Sequence, residues 1–233
     1  MLISDIVNKI YSKFIIKPKV GGELEGNGER VDIKYQKEIP FDKLDLYEKS
    51  HFRRYEFARD YITADSVCGD FACGTGYGSM MLAEKSKKVI GVDLNSEVIK
   101  KIKERYINTN NVEFVCSNLL DLQYSLEFDT IISFETIEHL MEDDIIKLLK
   151  IFNKASKPDG NLIFSTPYMQ ERSENAINLG FHQTFYINEE KIQQWLDTAG
   201  FTIECFKYQN YQTHLIQETL DPKDFIISVA KKN

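Results

Sequence analysis

Apolar residues along this chain fall into two alternating patterns. Compact apolar runs occur at 66–71, 88–93, 112–116, 128–134 and 161–165. Between them, apolar residues recur every three or four positions. The compact runs predict strands and the periodic segments predict helices. Helices are predicted over about 44–62, from near Tyr77, after Asn95 or Ser96, over 142–155, and from Asn188 through Leu196. Asn95 or Ser96 caps its helix, and Val98, Ile99 and Ile102 share one face of it. Gly200 stands where a helix ends in a left-handed residue. The run 128–134 is apolar enough to be buried on both faces. Two further strands are predicted at 201–208 and 225–230, with a polar, loop-like stretch at 209–223 and no helix between them. Strands alternating with helices make this an α/β chain built on a parallel sheet.

Upstream, Leu2, Ile3, Ile6, Val7, Ile10, Tyr11 and Phe14 follow helical spacing. A helix packed on the domain, or on a second copy, explains that stripe better than a membrane-surface anchor. Residues 17–32 are glycine-rich and polar and predict an irregular segment. The chain therefore divides into an N-terminal helical extension, 1–62, serving as a lid, and a core, 63–233, within one domain. Its 233 residues, 42% hydrophobic and 28% charged, suit one soluble domain with additions. No apolar run reaches the length of a membrane span. The net charge of −7 argues against a nucleic-acid binder. Four cysteines, 68, 73, 116 and 205, form no Cys-x-x-Cys pair. They are expected to be reduced core thiols of a cytoplasmic protein, a monomer or homodimer.

The chemistry concentrates in Val67-Cys-Gly-Asp-Phe-Ala-Cys-Gly-Thr-Gly-Tyr-Gly78, followed by Val89-Ile-Gly-Val-Asp-Leu94. Strand, glycine turn, helix and a second strand ending in a carboxylate build a nucleotide-type cofactor site. Asp93 at the strand tip can accept both hydroxyls of a ribose. Read alone, the glycine pattern also fits a nicotinamide cofactor, as Gly74-Thr-Gly76-Tyr-Gly-Ser79.

The segment resembles motif I of the class I S-adenosylmethionine-dependent methyltransferases. Phe128–Leu140 (FDTIISFETIEHL) and Lys157–Pro167 resemble that family's fourth and fifth strands. The Ala-Cys-Gly-x-Gly-Tyr-Gly and Phe-Glu-Thr-Ile-Glu-His-Leu wording is similar to methyltransferases of surface-glycan pathways. The likeness covers roughly residues 50–205. It implies a Rossmann-like, seven-stranded, mostly parallel sheet with an antiparallel last strand and helices on both faces. It implies S-adenosylmethionine as cofactor. Asp70 is then expected at the methionine ammonium, with the backbone of Ala72, Cys73, Gly74 and Gly76 beside methionine and ribose. Asp93 takes the ribose, Leu94 and Leu119 sandwich the adenine, Asn118 accepts from its amine, and Phe134 completes the site. Ala72 replaces the family's first glycine, which its methyl allows if φ is negative. Asn118 replaces an aspartate.

Methyl transfer from a sulfonium requires alignment, exclusion of water, and a base if the acceptor is a hydroxyl. No metal is needed for the leaving group. His182, in Leu179-Gly-Phe-His-Gln-Thr-Phe185, is the preferred base, in a position that resembles the histidine of the glycan group. Glu138 and His139 are the next catalytic candidates. Arg54, Tyr55, Glu135 and Tyr168 are candidate acceptor contacts, with Arg172 and His214 as weaker ones. The acceptor is expected to be a small molecule. A metal-assisted alternative, similar to ubiquinone-pathway O-methyltransferases, places a divalent ion on Glu135, Glu138 and His139.

Overall fold

A computed structural model of the chain describes residues 30–35 and 41–233. The helix predicted over the first fourteen residues, and most of the segment 17–32, lie outside the described residues. The strands are β1 (Val67–Phe71), β2 (Lys88–Asp93), β3 (Val112–Cys116), β4 (Phe128–Phe134), β5 (Ser156–Pro167), β6 (Phe201–Gln209), β7 (Ile216–Gln217) and β8 (Phe225–Lys232). They form one sheet in the order β3-β2-β1-β4-β5-β8-β6-β7. The first five pair in parallel. β8 runs antiparallel between β5 and β6, and β7 antiparallel on β6.

The sheet thus has eight strands where seven were expected. The extra one, β7, lies in the polar stretch 209–223. Only Tyr208–Gln217 and Gln209–Ile216 pair there, too short a ladder to leave a periodic signal. β5 also begins five residues earlier than its apolar run. Its pairing with β4 shifts register between Phe128 and Thr130, and Asp159 turns the chain at φ 59°.

The helices are α1 (Leu46–Ala58), α2 (Tyr77–Ala83), α3 (Ser96–Arg105), α4 (Glu142–Ala155), α5 (Glu174–Leu179) and α6 (Glu189–Ala199). α1 is shorter than the predicted 44–62. A capping box of Asp45 and Glu48 opens it, and a 3-10 turn, Arg59–Tyr61, closes it. Asn95 caps α3 by accepting from the Val98 amide at 3.0 Å, and Asn188 caps α6. The six-residue α5 escaped the hydrophobic pattern because it is under two turns long.

Alternation along β4 feeds two cores. Ile131 joins Phe71, Phe152, Leu149 and Trp195 under α4 and α6. Ile132 joins Tyr55, Ala58, Met81 and Leu82 under α1 and α2. Each fully buried side chain of this kind contributes about 1.5–3 kcal/mol, which holds helices to both faces. α3 packs Val98, Ile99 and Ile102 on Phe114 at the β2–β3 side. Gly78 sets the approach of α1 to α2: a Cβ there would stand 2.0 Å from Tyr55 Cζ. All four cysteines are free; Cys68 and Cys73 are buried and Cys205 half-buried. Cys116 corrects the expectation of core thiols, being exposed where edge strand β3 ends. No helix among the described residues is long and apolar enough to cross a membrane.

Candidate active site

The carboxyl ends of β1, β2 and β4 open onto a cavity of about 310 Å³, where ligands sit in open parallel sheets. Asp93, at the tip of β2, is nearly buried. Its Oδ2 accepts from the Gly74 amide at 3.0 Å and its Oδ1 from the Asn95 amide at 2.9 Å. Each oxygen keeps a second lone pair. The turn after β1 places Ala72, Cys73 and Gly74 on the cavity wall. Gly74 adopts φ 52°, and a Cβ there would meet nothing within 4 Å, so the backbone lies open to the cavity. Ala72 has φ 65°, which overturns the expected negative φ; the methyl is carried in a left-handed conformation that costs of order 1 kcal/mol or more. Leu94 is 69% exposed, and Asn118, Leu119 and Leu120 line the wall beside it. Asn118 caps its own turn, its side-chain oxygen accepting from the Leu120 amide at 2.9 Å.

The β4 end is built from separate segments. Arg54 is fully buried. Its Nη1 pairs with Glu135 Oε1 at 2.6 Å and donates to Ser165 Oγ at 3.0 Å. Ser165 in turn donates to Glu135 at 2.7 Å. Arg54 therefore anchors Glu135, itself held at φ 50°, instead of reaching for a ligand. The next turn, Ile137–His139, is stitched to residues 181–184. The Gln183 and Thr184 amides donate to the Glu138 carbonyl at 2.8 and 3.1 Å. Thr184 Oγ1 donates to the Leu140 carbonyl at 2.6 Å. His139 Nδ1 bonds the Phe181 carbonyl at 3.0 Å.

These ties bring His139 and His182 edge to face, 4.9 Å between centroids. His182 Nδ1 donates to Gln170 Oε1 at 2.5 Å. Both Nδ1 atoms face oxygen acceptors, so both rings present an Nε2 lone pair when neutral. Burial, then the neighbouring His139, pushes His182 down to about 4. Beneath them the Glu138 carboxyl is buried. Among the described residues its Oε2 has no hydrogen-bond partner. Burial, then Glu135, raises it well above the usual carboxylate range.

A family model described as a methyltransferase domain matches residues 69–160. Over those residues the chain is similar to that domain. A probable S-adenosylmethionine-dependent methyltransferase of Mycolicibacterium smegmatis is 28% identical over 164 residues, 67% of this chain and 61% of that protein. A malonyl-[acyl-carrier protein] O-methyltransferase of Priestia megaterium is 31% identical over 113 residues, 48% of this chain and 40% of that protein. The chain thus matches less than two thirds of these relatives' length. Among solved structures, an S-adenosylmethionine-dependent methyltransferase from Mesorhizobium loti superposes with a TM-score of 0.67 at 16% identity, over 81% of this chain and all of that one (100%). One from Clostridium acetobutylicum gives 0.62 at 17%, over 82% and 94%. The fold is that of the class I methyltransferases. β8, reversed between β5 and β6, sets the sheet apart from the dinucleotide order 3-2-1-4-5-6.

Most predicted cofactor residues line the cavity: Ala72, Cys73, Gly74, Asp93, Leu94, Asn118, Leu119 and Phe134. Asp70 and Gly76 do not. Asp70 is sealed behind Tyr55 and Ser79, whose hydroxyls donate to it at 3.0 and 2.6 Å. Gly76 lies against Phe114. Tyr55, Glu135 and His139 line the cavity, while Glu138 and His182 back His139. Tyr168 stands apart, bonded to Glu189 and edge-on to Tyr208. His214 packs on Phe41 and Arg172 is exposed. Sequence reasoning missed Arg30 and Val31, which close one side of the cavity. Arg30 Nη2 is 4.0 Å from Asp93, and the Val31 carbonyl accepts from Thr75 Oγ1 at 2.6 Å. Their glycine-rich context carried no periodic signal.

Proposed function

We propose that this chain transfers a methyl group from S-adenosylmethionine to an oxygen of a small-molecule acceptor, a sugar or phosphate-type precursor in surface-glycan biosynthesis. One observation carries the reading: a strand-tip carboxylate, an open glycine turn and the His139 imidazole, backed by His182, share one cavity. The cofactor fits the residues present. Asp93 has lone pairs left for the ribose hydroxyls, Leu94 and Leu119 offer apolar faces to the adenine, and the open backbone at Gly74 admits close approach. Bound there, S-adenosylmethionine supplies a methyl group on a sulfonium whose departure leaves a neutral thioether.

The chain's own groups do the rest. Tyr55, Phe134 and Leu140 exclude water from the cavity's floor. Glu135, pinned by Arg54, orients the acceptor. His139 faces the cavity and takes the base role that the sequence assigned to His182, which supports it from behind. The sequence wording shared with glycan-pathway enzymes supports the acceptor class. The Priestia relative, an O-methyltransferase by name, supports oxygen as the acceptor atom.

The test pairs calorimetry with S-adenosylhomocysteine and transfer of a labelled methyl to sugars and sugar phosphates. The expected result is binding, and label that alkali does not release. Alkali-labile label would move the acceptor to a carboxylate. Absence of S-adenosylhomocysteine binding would overturn the reading.

A further inference from the structure

Three side chains at the β4 end remain without a full account: Glu138, His139 and His182. We propose that they hold one divalent first-row transition cation, which grips the acceptor oxygen; this rests on the methyl-transfer reading above. Their ligand atoms lie within 4.8 Å of one another. A cation bound at about 2.0–2.2 Å draws such atoms to roughly 3.5 Å apart. The side chains therefore close by about 1 Å, a small adjustment on a turn and a loop.

Three further observations select this set. Glu138 is 1% exposed, and among the described residues no donor meets its Oε2 in full hydrogen-bond geometry, the Thr166 hydroxyl beside it included, an arrangement that costs free energy unless something meets it. His139 and His182 are each fixed through Nδ1 to an oxygen acceptor. A metal-ligating histidine is usually oriented in this way, with its other nitrogen turned to the ion. Glu135, which the resemblance to ubiquinone-pathway O-methyltransferases offered as a ligand, is instead committed to Arg54 and Ser165. His182 takes its place from a segment 47 positions on in the chain.

Two imidazoles and one carboxylate suit Zn²⁺, Mn²⁺, Fe²⁺ or Co²⁺ better than Mg²⁺, which prefers oxygen donors. A hydroxyl on such an ion ionises at lower pH. Its proton leaves to water, its oxygen bonds the methyl carbon, and the methyl–sulfur bond breaks with its electron pair left on sulfur. With the cation bound, His139 serves as a ligand in place of the base role given above, and the proton passes to water at the ion.

The experiment uses the full chain stripped by chelator, then equilibrated with CoCl2, MnCl2 or MgCl2. The expected result is one Co²⁺ per chain with the visible bands of a nitrogen-ligated site, and at least tenfold weaker Mg²⁺ binding. His139→Ala, His182→Ala and Glu138→Gln should each weaken Co²⁺ at least tenfold, with S-adenosylhomocysteine affinity held within about threefold. His214→Ala, outside the cluster, should leave Co²⁺ uptake unchanged. No uptake by the wild type, or uptake that survives the His139→Ala/His182→Ala double change, would overturn the site. Methyl transfer untouched by chelator would overturn its role. Failure of the wild type to bind S-adenosylhomocysteine would sink the methyl-transfer reading instead, whatever the Co²⁺ result.

Discussion

Asp93 at one end of the cavity and the His139–His182 pair at the other are held by different means. Asp93 is fixed by two backbone amides from its own and the adjoining turn, Asn95 and Gly74. Those turns follow β1 and β2 and are set by the sheet. The imidazoles are fixed by a stitched pair of loops, with Arg54 from α1 pinning Glu135 alongside. The first arrangement depends on local backbone geometry. The second depends on long-range contacts remaining intact. Damage to the packing should therefore disturb the acceptor end first and leave the cofactor end working.

The largest effect that can break this comparison is at Arg54. Removing it as Arg54→Ala strands Glu135 beside buried groups, and should cost about 3–5 kcal/mol of stability. Urea unfolding measures that loss. S-adenosylhomocysteine binding, measured on the folded fraction, should persist. If cofactor affinity falls together with stability, the two ends are not independent. Asp93→Ala is the converse. It removes an anionic acceptor and should weaken S-adenosylhomocysteine about 100-fold, near 3 kcal/mol, as read by calorimetry. Co²⁺ uptake at the other end should not change.

The smallest effect sharpens the comparison through pH. Burial disfavours charge at both ends, and with opposite consequences. Asp70, near the cofactor turn, is raised to about 6 from 3.8. Burial is the chief cause; hydrogen bonds from Ser79 and Tyr55 oppose it. Between those values the native state holds a proton that the unfolded chain has lost, so this group's contribution falls as pH rises through the window. His182 is lowered to about 4 from 6.5. There the unfolded chain holds the extra proton, so its contribution is lost as pH falls from 6.5 to 4. Each is about 3 kcal/mol at most, and less after relaxation. Denaturation across pH 4–7 should show Asp70→Asn steepening the rise of stability with pH, and His182→Gln flattening it. Slopes of the same sign would refute the opposed assignment.

Much of this was legible in the sequence. The apolar runs gave β1 to β4 within a residue or so; for β1, β2 and β4 this is because strands buried on both faces cannot hide their composition. Asn95, Asn188 and Gly200 marked helix ends, because caps act through local backbone chemistry. The cavity wall of Ala72–Gly74 and Asp93 was readable for the same reason: these residues end or directly follow adjacent strands. Arg54 was misread as a ligand contact, since nothing in the spacing of α1 tells that its guanidinium meets Glu135 and Ser165. Asp70 was expected at the methionine ammonium because its position at the strand's end is visible, whereas Tyr55 and Ser79 closing over it are not.

What the sequence by itself determined is the order of elements, the parallel sheet and the strand-tip carboxylate, because each arises from periodicity and turn chemistry within a few residues. Tertiary structure alone decided which charges are buried, which histidine faces the cavity, and that Glu138, His139 and His182 meet. Those outcomes depend on contacts between segments far apart in the chain, and desolvation at such contacts is a property of the packed molecule, not of any stretch of it.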